Sequence, residues 1–422
     1  MKTFTWKKAA AAAFCFVLAA NHPVSLVASD HADPQVLKDP DGNITDLFFF
    51  PDGDRYVVIL DVHRALTALP PYQLPEYEYR INFDWHTGLS FTNGDADTVR
   101  YGGKISHPEG IKEDATIKIR LDADGKLMKD YPVYNGLLHT DQFTVFTGLR
   151  ADPFIFPRFF KKNTIAMVFS MPKNAFPSGR DSFLLWAAAF KGDKQVDHVG
   201  RSNRTQQARF ESLNTLHPSQ HVAQIMKDMA FWDKWYMNLS KYRETQQFGA
   251  AIQILIQVRS KNMYDFAPDV MVYSDAREHD PSVRPGFPNG RHIQDDVAAL
   301  TCAEGDCILQ ELSFVEGNWP RRTVSDRPVP ADAKFPYLLD PYKEGEFTAS
   351  AASPLPTLGL RGIFAIGLLA VQSVPRLIEL ELLPFNISVV VIVIVIAAIE
   401  LWLLLQTIKY RLHLRRQRRQ VI

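Results

Sequence analysis

The chain has few cysteines, no net charge and none of the short motifs that mark common chemistries. Three cysteines in 422 residues exclude a disulfide-dense scaffold or a cysteine-rich zinc module. There is no G-x-S-x-G, H-E-x-x-H, G-x-G-x-x-G or C-x-x-C-H. The signatures of serine hydrolases, zinc proteases, dinucleotide-binding folds and c-type haem attachment are thus missing. The zero net charge averages two basic ends against an acidic middle, and that acidic middle argues against a nucleic-acid surface, which needs a basic face.

The two ends carry the strongest signals. "MKTFTWKK" supplies three lysines, "AAAAAFCFVLAA" a run of 12 apolar residues, and "SLVAS" small residues for cleavage. That order is a secretory signal over 1–29, cut after Ala28 or Ser29. "ISVVVIVIVIAAIELWLLLQTI", Ile387 to Ile408, is 22 residues long with Glu400 as its single charge. It predicts a transmembrane helix, because lipid forces the backbone to bond to itself. The tail 409–422 follows with Lys409, Arg411, Arg415, Arg416, Arg418 and Arg419. It is expected to stay cytoplasmic and to meet anionic lipid headgroups. The expectation is a single-pass inner-membrane protein whose main domain, 30–345, is periplasmic. Three positive charges in the leader and six in the tail leave a net −9 between them.

Cys302 and Cys307 flank the short loop of "TCAEGDC". In an oxidising compartment this spacing predicts one disulfide. A proline-rich linker is expected over 346–357. The segment 358–383 mixes apolar residues with Arg361, Arg376, Glu379 and Glu381, which suits a helix lying on the membrane surface. A second span is the alternative there, but it would put the basic tail on the opposite face.

Within the main domain, "RYVVILDV" (55–62), "YEYRINF" (77–83), "ATIKIRL" (115–121), "DQFTVFTGL", "NTIAMVFSM" and "SFLLWAAAF" read as strands separated by turn residues. After His217 the spacing of Val222, Ile225, Met226, Met229, Trp232 and Tyr236 turns helical. The expected class is mainly β (α+β): an antiparallel sandwich or open barrel with a helical insertion around 218–260. From Ala267 the chain is polar and proline-rich, and "REHDPSVRPGFPNGRHIQDDVAAL" reads as a structured loop leading into a helix or strand.

Two clusters could carry chemistry. Asp30, His31, Asp33 and Asp46 offer the oxygen-rich ligands that calcium takes. The favoured reading of the same residues is turn and strand-entry chemistry. In "PNGRHIQDDV", Asn289 and Gly290 signal a turn, and Arg291 can clamp a carboxylate. Asp46, Asp152, Asn289, Arg291, Asp295 and Asp296 form a candidate polar pocket. The preferred reading of the same residues is an internal Arg–Asp clamp that fixes this loop against the sheet. His217 and His221 lie four apart but lack a third ligand nearby, so they read as surface or capping residues. Glu400, inside the predicted span, calls for a partner on another membrane subunit, or else stays protonated or snorkels toward the interface.

"DHADP", "NITDLFFF", "GLRADPFIFP", "NTIAMVFSMP", "VDHVGR", "GFPNGRHIQDDV" and "FPYLLDPY" together resemble bacterial domain-of-unknown-function family 4331, in the family's order, over residues 29–342. The resemblance implies an exported, mainly β domain and brings no activity with it. The chain departs from the pattern at Ala151, where the family has an aspartate, and in "FIFPRFF". At the turn after "YEYRINFDWHTG" only Asp84 is left, beside Trp85 and His86, so no calcium site is expected at that turn.

Two functions remain. One is a membrane-anchored periplasmic binding or accessory protein, a candidate subunit of an envelope complex, held by a membrane protein partner. The other is an extracytoplasmic metal-dependent enzyme using the Asp/His cluster, with calcium as the candidate ion.

Overall fold

The computed structural model describes residues 40–66, 70–139, 142–153, 163–202, 204–205, 210–227, 266–304, 328–343 and 346. The leader, the cysteine loop beyond Glu304, the linker, the segment 358–383 and the proposed span fall outside them. Most of the helical insertion, 228–265, falls outside as well. Among the described residues no helix is long and apolar enough to cross a membrane.

Two antiparallel sheets make the body. The first runs β1 (Ile44–Asp52), β2 (Arg55–Leu66), β9 (Asn163–Pro172), β8 (Thr144–Ala151). The second runs β11 (Lys194–Val199), β10 (Ser182–Lys191), β3 (Tyr77–Asp84), β6 (Ala115–Ile119), β7 (Val133–Gly136). β12 (Met271–Ser274) joins β10 on the edge that β11 also uses, and β4 (Leu89–Ser90) pairs with β5 (Lys104–Ile105). All six strands expected from alternation are present. β12 was not expected: its residues Met271, Val272 and Tyr273 are buried inside an otherwise polar stretch. Four residues are too few for alternation to stand out against flanking loop composition.

Local chemistry explains the hairpins. β1–β2 and β10–β11 both close on a two-residue Gly-Asp loop, with Asp52 opposite Arg55 and Lys191 opposite Lys194. Gly53 and Gly192 sit at φ of 61° and 60°, the conformation such turns ask of their first central residue.

The core lies between the sheets. β1 sends Ile44, Leu47 and Phe49 inward, β2 sends Val58, Leu60 and Val62, and β3 sends Tyr79, Ile81 and Phe83. Phe49 is packed against Tyr56, Phe183 and Tyr273 with ring centroids 4.7–5.3 Å apart. Neither outer face is left bare. Phe48, Phe50, Val57, Ile59, Ala166 and Val168 on the first sheet lie beneath Ile293, Val329, Tyr337 and Leu338. Leu184, Trp186 and Val272 on the second meet Ile111, Val270, Leu89, Phe91 and Ile105.

One loop ties the sheets together. Arg291 exchanges both backbone hydrogen bonds with Phe49 of β1, and Gly290 donates to Val272 of β12. Residues 289–291 thus bridge an edge of each sheet and cover edges that would otherwise be open. Gly290 has φ of 75°, and a Cβ there would come 2.7 Å from the Phe49 carbonyl oxygen. Of the described helices, α1 is Ala96–Tyr101, α2 His221–Lys227, α3 Asp275–Glu278 and α4 Val297–Ala303.

Candidate functional site

The strand period places the principal polar centre. With Phe48 and Phe50 on the outer face of β1, Asp46 takes that face as well. On β2 the same face carries Val57, Ile59 and then Asp61. Asp46 and Asp61 are register partners. Asp152 follows directly on β8, and Arg291 arrives from the bridging loop. The Arg291 guanidinium lies 2.7 Å from Asp46 Oδ1 and 4.2 Å from the centre of the Phe48 ring. Asp46, Asp61, Asp152 and Arg291 are all buried. Burial pushes the Asp61 carboxyl well above the usual carboxylate range. Asp46 and Asp152 push it further, and Arg291 offsets part of the rise.

This centre contains three of the residues expected in one pocket: Asp46, Asp152 and Arg291. The structure does not bring the others to it. Asp295 turns back onto its own loop, accepting from Arg284, Phe287 N and His292 N. Asp296 accepts from Ala299 N at the start of α4. Asn289 accepts from Ser274 N and donates to Ser274 O and Glu278. Glu278 also accepts from Gly286 N and bonds His292. These short-range bonds hold the loop in the shape that delivers Arg291. The Arg–Asp clamp therefore joins Arg291 to Asp46 rather than to Asp295.

Asp46 Oδ1 faces the Arg291 guanidinium. Asp30, His31 and Asp33 lie outside the described residues. So do Cys307 and Glu400, while Cys302 lies in α4.

Asp61 was not singled out from sequence. It is the only charged residue in the buried-type run "RYVVILDV" apart from the first, and a charge inside a buried strand is itself a signal.

A second centre joins β11 to the segment before β12. Asp269 accepts from Gly200 N and Arg201 N, and His198 Nε2 bonds the Asp269 carbonyl oxygen at 2.7 Å. His221 Nδ1 accepts from Asp269 N, and its Nε2 bonds Leu216 O. The rings of His198 and His221 are 4.9 Å apart. Burial alone would raise Asp269. The hydrogen bond from His198 and the positive charges around it hold it below the usual carboxylate range instead. Burial, and then His198, bring His221 down to about 3. His217 caps the turn before α2 as expected, its Nδ1 accepting from Ser219 N. His221 is not a surface residue: it is fully buried.

Beside this centre runs a partly open groove of about 320 Å³. Ile105, Pro108, Val222, Phe266, Val270 and Val272 make its apolar lining, and Asp97 and Arg100 its polar part. Phe266 and Met226 of α2 are 38 % and 59 % exposed, high values for large apolar side chains.

A third cluster lies at the turn after β3. Asp114, distant in sequence, joins Asp84 and His86 there, and their ligand atoms lie within 4.8 Å of one another. Each is already bonded. Asp84 accepts from His86 N, Thr87 N, Thr87 Oγ1 and Lys112 N. Asp114 Oδ2 accepts from Trp85 N and lies 2.5 Å from His86 Nδ1, while Arg180 points an N–H at His86 Nε2 at 2.9 Å. Arg180 thereby makes Nε2 the acceptor and Nδ1 the donor to Asp114. The trio forms a hydrogen-bonded turn.

No family model, no curated protein and no solved structure matches the chain.

Proposed function

We propose that this chain is a membrane-anchored periplasmic binding or accessory protein, a member of family 4331 that serves as a subunit of an envelope membrane complex. The observation that carries binding over catalysis is how the polar groups are used. The Asp84–His86–Asp114 turn, the His198–His221–Asp269 centre and the Glu278–His292 pair are each closed by bonds within the domain. The groove between α1 and α2 is partly open and mixes apolar lining with Asp97 and Arg100, with exposed Phe266 at its wall and Met226 one helical turn from Val222. Apolar surface of this kind, rimmed by charge, suits a protein partner. The leader, the span Ile387–Ile408 and the basic tail support placement on the periplasmic face. Glu400 supports a partner within the membrane.

The groove is tested with the double variant Met226→Glu/Phe266→Glu. Expressed in native membranes, it is expected to retain at least about tenfold less partner on purification, with an unchanged far-UV spectrum. Undiminished retention would contradict the role given to the groove.

A further inference from the structure

A fold normally keeps a buried carboxyl because donors are bonded to it. Asp61 has none. It is fully buried, and neither of its oxygens receives a hydrogen bond. The charged groups acting on it are Asp46 from β1, Asp152 from the end of β8 and Arg291 from the bridging loop. Its neighbour on β9 is Ala166, which brings no charge. Arg291 is already engaged by Asp46 at 2.7 Å. Ionised, Asp61 would be a third carboxylate around one guanidinium, sealed from water and without a donor. Such an ion is far more costly to bury than the neutral acid.

The position of Asp61 gives that proton a mechanical consequence. The face it occupies is closed by two segments, the loop carrying Arg291 and Ile293 and the strap carrying Val329, Tyr337 and Leu338. The strap ends beside the same centre. Leu339 O accepts from Ala151 N, and Asn163 grips Tyr342 through both its N–H and its carbonyl. Charge created at Asp61 arises between the two fastenings of the cover.

We propose that Asp61 is a proton-operated latch: holding its proton, it lets the loop 286–293 and the strap 329–342 lie closed on the first sheet, and losing that proton to solvent loosens them. The direction of its titration agrees, because burial, Asp46 and Asp152 all favour the neutral acid. On the membrane-anchored reading the strap leads to the tether, so the latch would set how firmly the tether is held. The latch itself does not depend on that reading.

Hydrogen exchange on the full chain in detergent, from about pH 6 to about pH 9, tests it. After correction for intrinsic exchange, protection of 287–293 and 329–342 is expected to fall about tenfold or more with rising pH, while β3, β6 and β10 hold theirs. In Asp61→Asn that fall should vanish. Asp152→Asn, which removes one repelling charge, should move the transition to lower pH and supplies the test should Asp61→Asn not fold. A flat wild-type profile, an unchanged fall in Asp61→Asn, or an unmoved transition in Asp152→Asn overturns the proposal.

Discussion

Arg291 and Asp46 meet at 2.7 Å with side chains 2 % and 1 % exposed, one from a proline-rich loop and the other from the first strand. The pair joins segments more than two hundred residues apart in the chain, and the Arg291 backbone joins the same two places through Phe49. Breaking it from one side strands a buried charge. Asp46→Asn or Arg291→Met is expected to cost about 3–5 kcal/mol. The double variant should cost less than the sum, because the Arg291–Asp46 contact can be lost only once. Denaturant unfolding of the four proteins measures both statements, and strict additivity would contradict them.

The loop that delivers Arg291 depends on backbone conformation. Gly290 lies at φ of 75° with the Phe49 carbonyl oxygen 2.7 Å from where a Cβ would stand. Gly290→Ala is expected to destabilise by about 1–3 kcal/mol. Gly53, equally positive in φ, has nothing within 4 Å of its Cβ position, so Gly53→Ala should cost less. Equal losses would show that strain alone, and not the close approach to Phe49, governs the site.

Acid stability should report His221. Its folded value is depressed to about 3, so below the ordinary histidine value the unfolded chain binds a proton that the folded one refuses. Stability is therefore complete above about pH 6.5 and is lost progressively toward about pH 3, by a few kcal/mol. Asp61 acts in the opposite sense. Its folded value is raised, so its contribution is greatest below about pH 4 and declines as pH rises. His221→Gln should flatten the acid limb, and Asp61→Asn should raise stability at neutral pH. A wild-type acid limb retained in His221→Gln would contradict the assignment.

Much of this was legible in the sequence, and the misses have physical causes. Alternation revealed the six principal strands because each is long and half or fully buried. β12 escaped notice through its brevity. Arg291, Asp46 and Asp152 could be grouped because each stands out against its neighbours: an arginine after a turn, and aspartates ahead of aromatic runs. Asp295 was grouped with them wrongly. Its proximity in sequence to Arg291 says nothing of direction, and its carboxylate faces Arg284 and the backbone of its own loop. Asp269 and His198 gave no signal, since a contact across seventy residues of polar sequence leaves no local pattern.

The turn after β3 is knit together by hydrogen bonds among Asp84, His86, Asp114 and their neighbours. Asp84, His86 and Asp114 have the right atoms within 4.8 Å, yet Arg180 and five backbone or hydroxyl donors already engage them. Chelator or added calcium should leave the melting temperature unchanged to within about 1 °C. His86→Ala should weaken the turn by about 1 kcal/mol, whether or not metal is present. A calcium-dependent rise in melting temperature that His86→Ala or Asp114→Asn abolishes would contradict this.

The proposed role requires the chain to be held in a membrane complex through the segment Ile387–Ile408. The most direct measurement is purification of the full chain from its native membranes in mild detergent, beside the Glu400→Leu variant and a chain ending at residue 346. The account predicts a membrane protein in fixed stoichiometry with the full chain, reduced with Glu400→Leu and lost from the shortened chain. A full chain that purifies alone, with the same composition as the other two, would contradict it.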